Sequence, residues 1–344
     1  MLRACRRLFV TLLLFFLFVP LTHASEKAAQ DSSGAPIDVV GKVVDHHELA
    51  VAGTYIPLPR IMLVEGEWYF YGSTESAVES DEFVMEEGAI TPAGGASITL
   101  DMSITSHLMY VWFGLILTVW MTIAMARKYK RGTGRETEPK GWFQNLFEIV
   151  FVFVRDDIAK TNIQDNKYQK FVPYLFTVFI GITFMNLFGL LPWGATATAD
   201  ITVTAVLATF TFVITQWNGS KDHWEHVFWF PGVPGWMRII LTPIEIIGLF
   251  TKPFALAVRL FANMLSGKIM IICILGLIFI FADLFGSIAG VGMSLFAVPL
   301  TVALYVLKAF VGILQAYIFT LLSAVFIGMA AEEHAHEEGV EAHA

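Results

Sequence analysis

Cysteines and charged side chains are scarce in this sequence of 344 residues. The only two cysteines, Cys5 and Cys273, lie in unrelated apolar segments and form neither a disulfide framework nor a metal site. Acidic residues outnumber basic ones by 30 to 22, and the net charge of −8 gives no reason to expect nucleic-acid binding.

A phosphate-binding loop is also missing. Gly267 and Lys268 match the end of such a loop, but Ala262 replaces its first glycine and Ile269 replaces its serine or threonine. The sequence therefore predicts no nucleotide site and no cofactor in this chain.

Apolar residues, by contrast, are abundant. They make up 56% of the chain while charged residues make up 15%, and the mean hydropathy is +0.64. This composition is typical of a polytopic membrane protein rather than a soluble enzyme.

Residues 1–24 have the pattern of a secretory signal peptide. A basic start precedes an apolar stretch, residues 8–19, that is short for a membrane span, and Thr22-His-Ala24 resembles a cleavage site. A retained transmembrane helix is the alternative. In either case the chain from residue 25 onward is predicted to lie outside the cytoplasm.

Residues 25–105 are predicted to form a small, acidic, β-rich extracytoplasmic segment. Ile37–Val44, Glu48–Val64 and Trp68–Tyr71 have strand-like composition, with Gly and Pro between them. The pair His46-His47 fits an exposed loop better than a metal site.

Membrane-length apolar segments begin after residue 105. His107–Ala126 is the first, and the basic cluster Arg127–Arg131 that follows it marks the cytoplasmic side. Trp142–Val154 is short and amphipathic, and is predicted to lie at the cytoplasmic interface. Val172–Leu191 and Ala199–Trp217 then cross outward and back.

The segment Asn218–Gly235 is predicted to be a solvated, aromatic loop at the interface. It contains His223 and His226, whose spacing matches a metal site only weakly.

Two apolar blocks, Arg238–Phe285 and Ile288–Ala331, are too long to be upright spans. As continuous helices they would measure roughly 65–75 Å, against about 30 Å for the bilayer core. Either each block is bent or broken, near Pro253 or Pro299, or each is strongly tilted. With one crossing per block, the membrane domain of residues 106–335 crosses five times and residues 336–344 form a cytoplasmic tail.

Arg259 lies within the first block, with apolar sequence on both sides. An obligate cation there costs about 2.5–3.5 kcal/mol on insertion scales, and guanidinium cannot release its proton to avoid that cost. At roughly 100° per residue, four other polar residues share its helix face: Glu245, Lys252, Asn263 and Ser266. The stripe predicts a buried polar path or a seam facing protein, and snorkelling of Arg259 to the interface is the alternative.

Several motifs resemble the a subunit of F-type ATP synthases. The fifth helix of that subunit is resembled by three motifs: Thr242-Pro-Ile-Glu-Ile, Lys252-Pro-Phe and Val258-Arg-Leu-Phe-Ala-Asn-Met264. Its last helix is resembled by the segment Leu314–Leu322. Phe153–Lys160 and Pro173–Pro192 resemble the middle of that family. The motifs follow the family order across roughly residues 100–335.

The resemblance implies an all-α polytopic membrane protein with about five crossings and two long, tilted C-terminal helices. It implies a non-catalytic stator subunit in the bacterial inner membrane, with two half-channels for ions. Arg259 would face the essential acid of the c-ring, and ion flow would turn that ring. The implied partners are the c-ring, b-type peripheral stalk subunits, membrane lipid and protons, with sodium left open as the ion.

The resemblance also assigns site residues. Gln315 matches a glutamine near the essential arginine, and Asn263 and Glu245 belong to the polar stripe. Asn186 and Asp200 match polar positions near the outer half-channel, although Asp200 would equally serve as a helix cap.

Lys268 and Lys308 depart from the family pattern, which usually has Glu or His at these positions. Two charged lysines would repel protons, whereas two desolvated lysines with lowered pKa values would relay them. Pairing with Asp200, Glu245 or Asp283 is a further alternative.

Two other classes of protein compete with this interpretation. One is a stand-alone secondary transporter or ion channel with a buried arginine, and the other is a structural membrane scaffold. Transporter folds often contain two related halves, but the two long blocks here are adjacent and show no repeat.

The signal-peptide pattern predicts that the mature protein begins near Ser25. The intact mass of the purified chain tests this, because a mass that includes residues 1–24 would mean a retained anchor and an additional crossing.

Overall fold

The computed structural model describes residues 47–51, 54–86, 89–93, 97–132, 141–164, 167–191, 194, 196–228 and 235–332. The signal-peptide prediction, the strand Ile37–Val44, the side chain of His46 and the tail from residue 336 lie outside the described residues.

Seven short strands and one short helix form the N-terminal segment. The strands are β1 Glu48–Val51, β2 Thr54–Pro57, β3 Arg60–Val64, β4 Glu67–Tyr71, β5 Phe83–Glu86, β6 Ala89–Pro92 and β7 Ile98–Asp101, and the helix is α1 Thr74–Glu79. The strands predicted within Glu48–Val64 and Trp68–Tyr71 are confirmed. Strands β5 to β7 and helix α1 were not predicted.

The strands pair antiparallel in three small sheets. Strand β1 pairs with β2, β5 pairs with β6, and β3 lies between β4 and β7. Glu65 and Gly66 both have positive φ, which is the backbone that a two-residue turn between β3 and β4 requires. Met62, Val64, Ala77, Phe83 and Ile90 form the apolar core.

Seven longer helices follow the N-terminal segment. They are α2 Ser106–Lys130, α3 Trp142–Phe153, α4 Tyr168–Phe188, α5 Ile201–Trp217, α6 Lys221–Phe228, α7 Gly235–Phe285 and α8 Ser287–Ala331. Within the described residues, four of them (α2, α4, α7 and α8) are long and apolar enough to cross a membrane, and α5 with α6 makes a fifth candidate. The predicted count of about five crossings agrees with this result.

The segment after α5 differs from the prediction. A solvated loop was expected over Asn218–Gly235, but Lys221–Phe228 forms the helix α6, bent by 107° from α5. The hydroxyl of Ser220 accepts a hydrogen bond from the backbone N–H of His223 at 3.1 Å. This contact is a helix N-cap, which explains why so short a segment is helical.

The predicted amphipathic segment is helical, with an addition that the sequence did not predict, and its place at the interface stays a prediction. Helix α3 covers the predicted amphipathic segment, and Val154–Lys160 continues it as a π-helix. Arg155 and Asp156 in this π-helix form a salt bridge at 2.7 Å. The charged pair holds the pKa of the Asp156 carboxyl below its usual range.

The two long blocks each form one uninterrupted helix. Helix α7 has 51 residues and contains Pro243 and Pro253, and α8 has 45 residues and contains Pro299. At 1.5 Å per residue they measure about 75 Å and about 70 Å. Neither helix is broken at Pro253 or Pro299, and the tilt of the two helices stays a prediction.

A single residue separates α7 from α8. Gly286 has a φ of +87°, a conformation that glycine adopts without strain. Just beyond it, a Cβ atom added to Gly290 would lie 2.7 Å from the Cβ of Ala282. These two glycines let the chain reverse and pack α8 closely and antiparallel against α7.

The chain divides into two compact units. The first takes residues up to 124, 180–206 and 258–316, and the second takes residues 125–179, 207–257 and 317 onward. Each unit is described by itself below.

Close packing at Gly290 predicts that a larger residue there destabilises the hairpin of α7 and α8. Gly290→Leu should lower the free energy of unfolding by about 1–3 kcal/mol, the usual effect of overpacking. The measurement is the thermal unfolding midpoint of the purified chain in detergent. Gly292→Leu is the matched control, because a Cβ at Gly292 meets nothing within 4 Å. Equal losses in the two variants would contradict this account of the hairpin.

Candidate functional site: polar residues of the membrane helices

Arg259 is exposed on α7, in the first unit. Its guanidinium makes no hydrogen bond or salt bridge with any residue that the structure describes. The cation is therefore available to a group outside this chain.

One turn further along α7, Asn263 contacts α8. Its Nδ2 donates a hydrogen bond to Oε1 of Gln315 at 3.5 Å. Gln315 is only 4% exposed, and its Nε2 has no acceptor among the described residues. A buried N–H donor without a partner costs about 1–3 kcal/mol, so this amide is held in place at a cost to stability.

Gly312 brings α8 close to α4 and α7. A Cβ atom at this glycine would lie 3.3 Å from the Cβ of Asn186 and 3.6 Å from Cε of Met264. Gly312 therefore allows a close approach between these helices. Small residues at such positions allow helix backbones to approach each other in membranes.

Asn186 is fully engaged in hydrogen bonds at this contact. Its Nδ2 donates to the carbonyl oxygen of Gly312 at 2.8 Å, and its Oδ1 accepts from Oγ1 of Thr198 at 2.6 Å. The side chain is 2% exposed. Asn186 therefore ties α4 to α8 and to the loop before α5.

Asp200 has the geometry of a helix N-cap. Its Oδ1 accepts a hydrogen bond from the backbone N–H of Thr202 at 2.7 Å, directly at the start of α5. This is the capping alternative that the sequence left open.

Lys268 and Lys308 lie close together in the first unit. The charge of Lys268 acts on Lys308, and both side chains are half-buried. A Cβ atom at Gly267 would lie 3.1 Å from Cε of Lys308, so the stem of Lys308 packs over the Gly267 backbone. Lys308 forms no salt bridge with a carboxylate among the described residues, whether Asp200, Glu245 or Asp283.

Glu245 and Lys252, from the same predicted stripe, belong to the second unit. They line a cavity of about 180 Å³, together with His223 and His226 of α6. The ammonium of Lys252 lies 5.9 Å from the ring centroid of Phe326. Within the second unit, this cavity therefore gathers the two stripe residues Glu245 and Lys252 with the two histidines of α6.

His223 is held within this cavity wall. Its Nε2 lies 3.3 Å from Oε1 of Gln216, within hydrogen-bond distance. Burial lowers the pKa of His223, the positive charge of Lys252 lowers it further, and the negative charge of Glu245 raises it. Ser220, a residue type favoured at helix N-caps, is the feature of the sequence that points to a helix at this position.

A metal site is not formed by these histidines. No group of three or more His, Cys, Asp or Glu side chains that would hold a metal ion exists within the described part of the chain. Across both units, the polar side chains instead offer titratable groups and hydrogen bonds along apolar helices, which suits proton movement.

Comparison with known proteins identifies the family. The family model of the ATP synthase A chain matches residues 107–328. ATP synthase subunit a of Chloroherpeton thalassium is 44% identical over 247 residues, covering 71% of each chain. The subunit a of Chlorobium phaeobacteroides (strain DSM 266) is 45% identical, and the match covers 71% of this chain and 70% of the relative. The subunit a of Myxococcus xanthus is 42% identical, and the match covers 70% of this chain and 77% of the relative. The chain therefore belongs to the ATP synthase A chain family, the a subunits of the membrane sector of F-type ATP synthases.

Proposed function

We propose that this stator subunit forms two proton half-channels beside the c-ring and couples proton translocation to rotation and ATP synthesis. The observation that carries the proposal is the exposed Arg259 guanidinium, which has no partner among the described residues. A permanent charge on an apolar helix is costly unless a partner or water meets it. Family membership supports an a-subunit role over a stand-alone transporter or a structural scaffold.

The proposed mechanism follows from the effect of a fixed cation on a moving acid. A ring carboxyl group must be neutral while it faces lipid and ionised while it faces this subunit. The guanidinium of Arg259 favours the ionised form, because a nearby positive charge lowers the pKa of a carboxylic acid. It also repels a proton that would otherwise pass directly between the two half-channels.

The remaining site residues divide between the two half-channels. An extracytoplasmic path in the first unit is supported by Lys268, Lys308, Asn186 and Asp200. Asn263 and Gln315 lie next to the helical turn that carries Arg259. Glu245 supports a cytoplasmic path in the second unit. Three basic residues at the end of α2 support that orientation, because cytoplasmic segments are rich in Lys and Arg: Arg127, Lys128 and Lys130.

The proposed topology places the N-terminal segment outside the cytoplasm and the C-terminus inside it. Peripheral stalk subunits and lipid would contact the exposed apolar faces. The c-ring ligands decide between protons and sodium, and we propose protons.

The role of Arg259 predicts the behaviour of two variants. Arg259→Ala should abolish proton-driven ATP synthesis while the complex still assembles, because the guanidinium forms no hydrogen bond or salt bridge with a described residue. Arg259→Lys should also fail, because an ammonium can lose its proton and lacks the planar fork of guanidinium. ATP synthesis by reconstituted vesicles is the measurement, and co-purification with the ring is the control for assembly. Near-normal coupled synthesis by either variant would refute the assignment.

The role of the lysine pair predicts a change in pH dependence. Lys268→Met and Lys308→Met keep the length of the side chain and remove its charge, so each should slow proton conduction and shift its pH profile. The measurement is passive proton flux through the membrane sector in vesicles. Lys221→Met, an exposed lysine of α6, is the control. If both variants conduct like the wild type at every pH, the lysines only anchor helices.

A further inference from the structure

A cavity in the second unit has walls from four consecutive elements. Helices α5, α6, α7 and α8 contribute, among others, Gln216, His223, Glu245 and Phe326. Its volume of about 180 Å³ accommodates several water molecules, since one needs only about 10–15 Å³ of such space. The cavity therefore brings titratable side chains and room for water together at one place.

His223 is the residue in this wall whose placement is most closely defined. Its backbone N–H is fixed by the Ser220 hydroxyl, and its Nε2 lies 3.3 Å from Gln216. Its ring lies 5.8 Å from the ring of Trp224, edge to face. The imidazole is thereby oriented rather than free to rotate.

We propose that His223 is a proton-relay residue that exchanges protons between water in this cavity and the carboxylate of Glu245. The proposal rests on the proposed function, because it assumes that the cavity belongs to the proton path. In each cycle the imidazole accepts one proton from a hydrated proton in the cavity and becomes imidazolium. It then gives one proton to Glu245 and returns to the neutral ring, and the reverse sequence carries protons outward.

The charges around His223 suit a relay that does not trap the proton. The titratable groups that face the cavity are Asp222 and His226 on α6, Glu245 and Lys252 on α7, and Glu332 after α8. The ammonium of Lys252 disfavours the imidazolium, whereas Glu245 favours it. Burial and the positive charge of Lys252 together lower the pKa of His223, which favours the neutral ring and the release of a bound proton.

A purely structural His223 would need only its contact with Gln216. His223→Gln retains an amide that can hydrogen-bond to Gln216 but does not titrate. The structural role and the relay role therefore predict different pH profiles for His223→Gln, even if this variant assembles as well as the wild type.

The test is proton conduction by the complete complex in vesicles, measured as ATP-driven pumping and as passive flux between about pH 5.5 and about pH 8.5. The wild type should show a titration step on the acidic side. His223→Gln should lose that step and conduct about tenfold more slowly, less than the full effect of acid–base groups because water remains as a parallel path. Glu225→Gln is the matched control, since Glu225 is exposed on the same helix and does not line the cavity.

A second variant guards against a failure that is merely structural. His223→Ala enlarges the cavity, and added imidazole should restore conduction if a titratable ring is what the path requires. A wild-type rate and pH profile in His223→Gln, or no restoration of His223→Ala by imidazole, would overturn the relay.

The same vesicles separate this inference from the proposed function. If Arg259→Ala abolishes coupling while His223→Gln behaves like the wild type, only the relay is wrong. If Arg259→Ala retains coupling, the proposed function itself is wrong.

Discussion

A cation that cannot be neutralised constrains what the surface of helix α7 must face. Arg259 stays charged at every physiological pH, and its side chain is exposed without a described partner. The face of α7 that carries it must therefore meet a partner of opposite charge or water. On α8, Val306 and Phe310 are exposed and apolar. Such a surface suits lipid or a neighbouring subunit, as expected for one component of a membrane complex.

The polar contacts of the first unit depend on how closely α7 and α8 approach. Ala282 meets Gly290, Gly267 meets Lys308, and Asn263 meets Gln315 in one antiparallel register. At each of the first two contacts a glycine leaves space that a side chain would fill. A one-residue connection at Gly286 fixes where this register begins. Small residues thus determine which polar groups face each other, an arrangement common in membrane helices.

The sequence predicted the features that depend on composition and local spacing. The apolar spans and the amphipathic helix α3 both follow from residue type along one helix. The helix α6 was missed because eight residues are too few for a clear periodicity. The cavity around His223 was missed for a different reason: its walls come from four elements, and only the folded chain determines that they meet. The angular count placed Glu245 and Arg259 on one face, but it could not show that they belong to different units.

Hydrogen bonding divides the proposed path residues into two kinds. Asn186 has partners at both ends of its amide, and one carboxylate oxygen of Asp200 accepts a bond from the Thr202 amide. Groups held in this way position helices, and moving a proton through them would break contacts that support the fold. Lys308 lacks a salt bridge among the described residues, and His223 lines a cavity together with other titratable side chains. In the proposed mechanism the satisfied residues therefore keep the path open, and the titratable ones carry the proton along it.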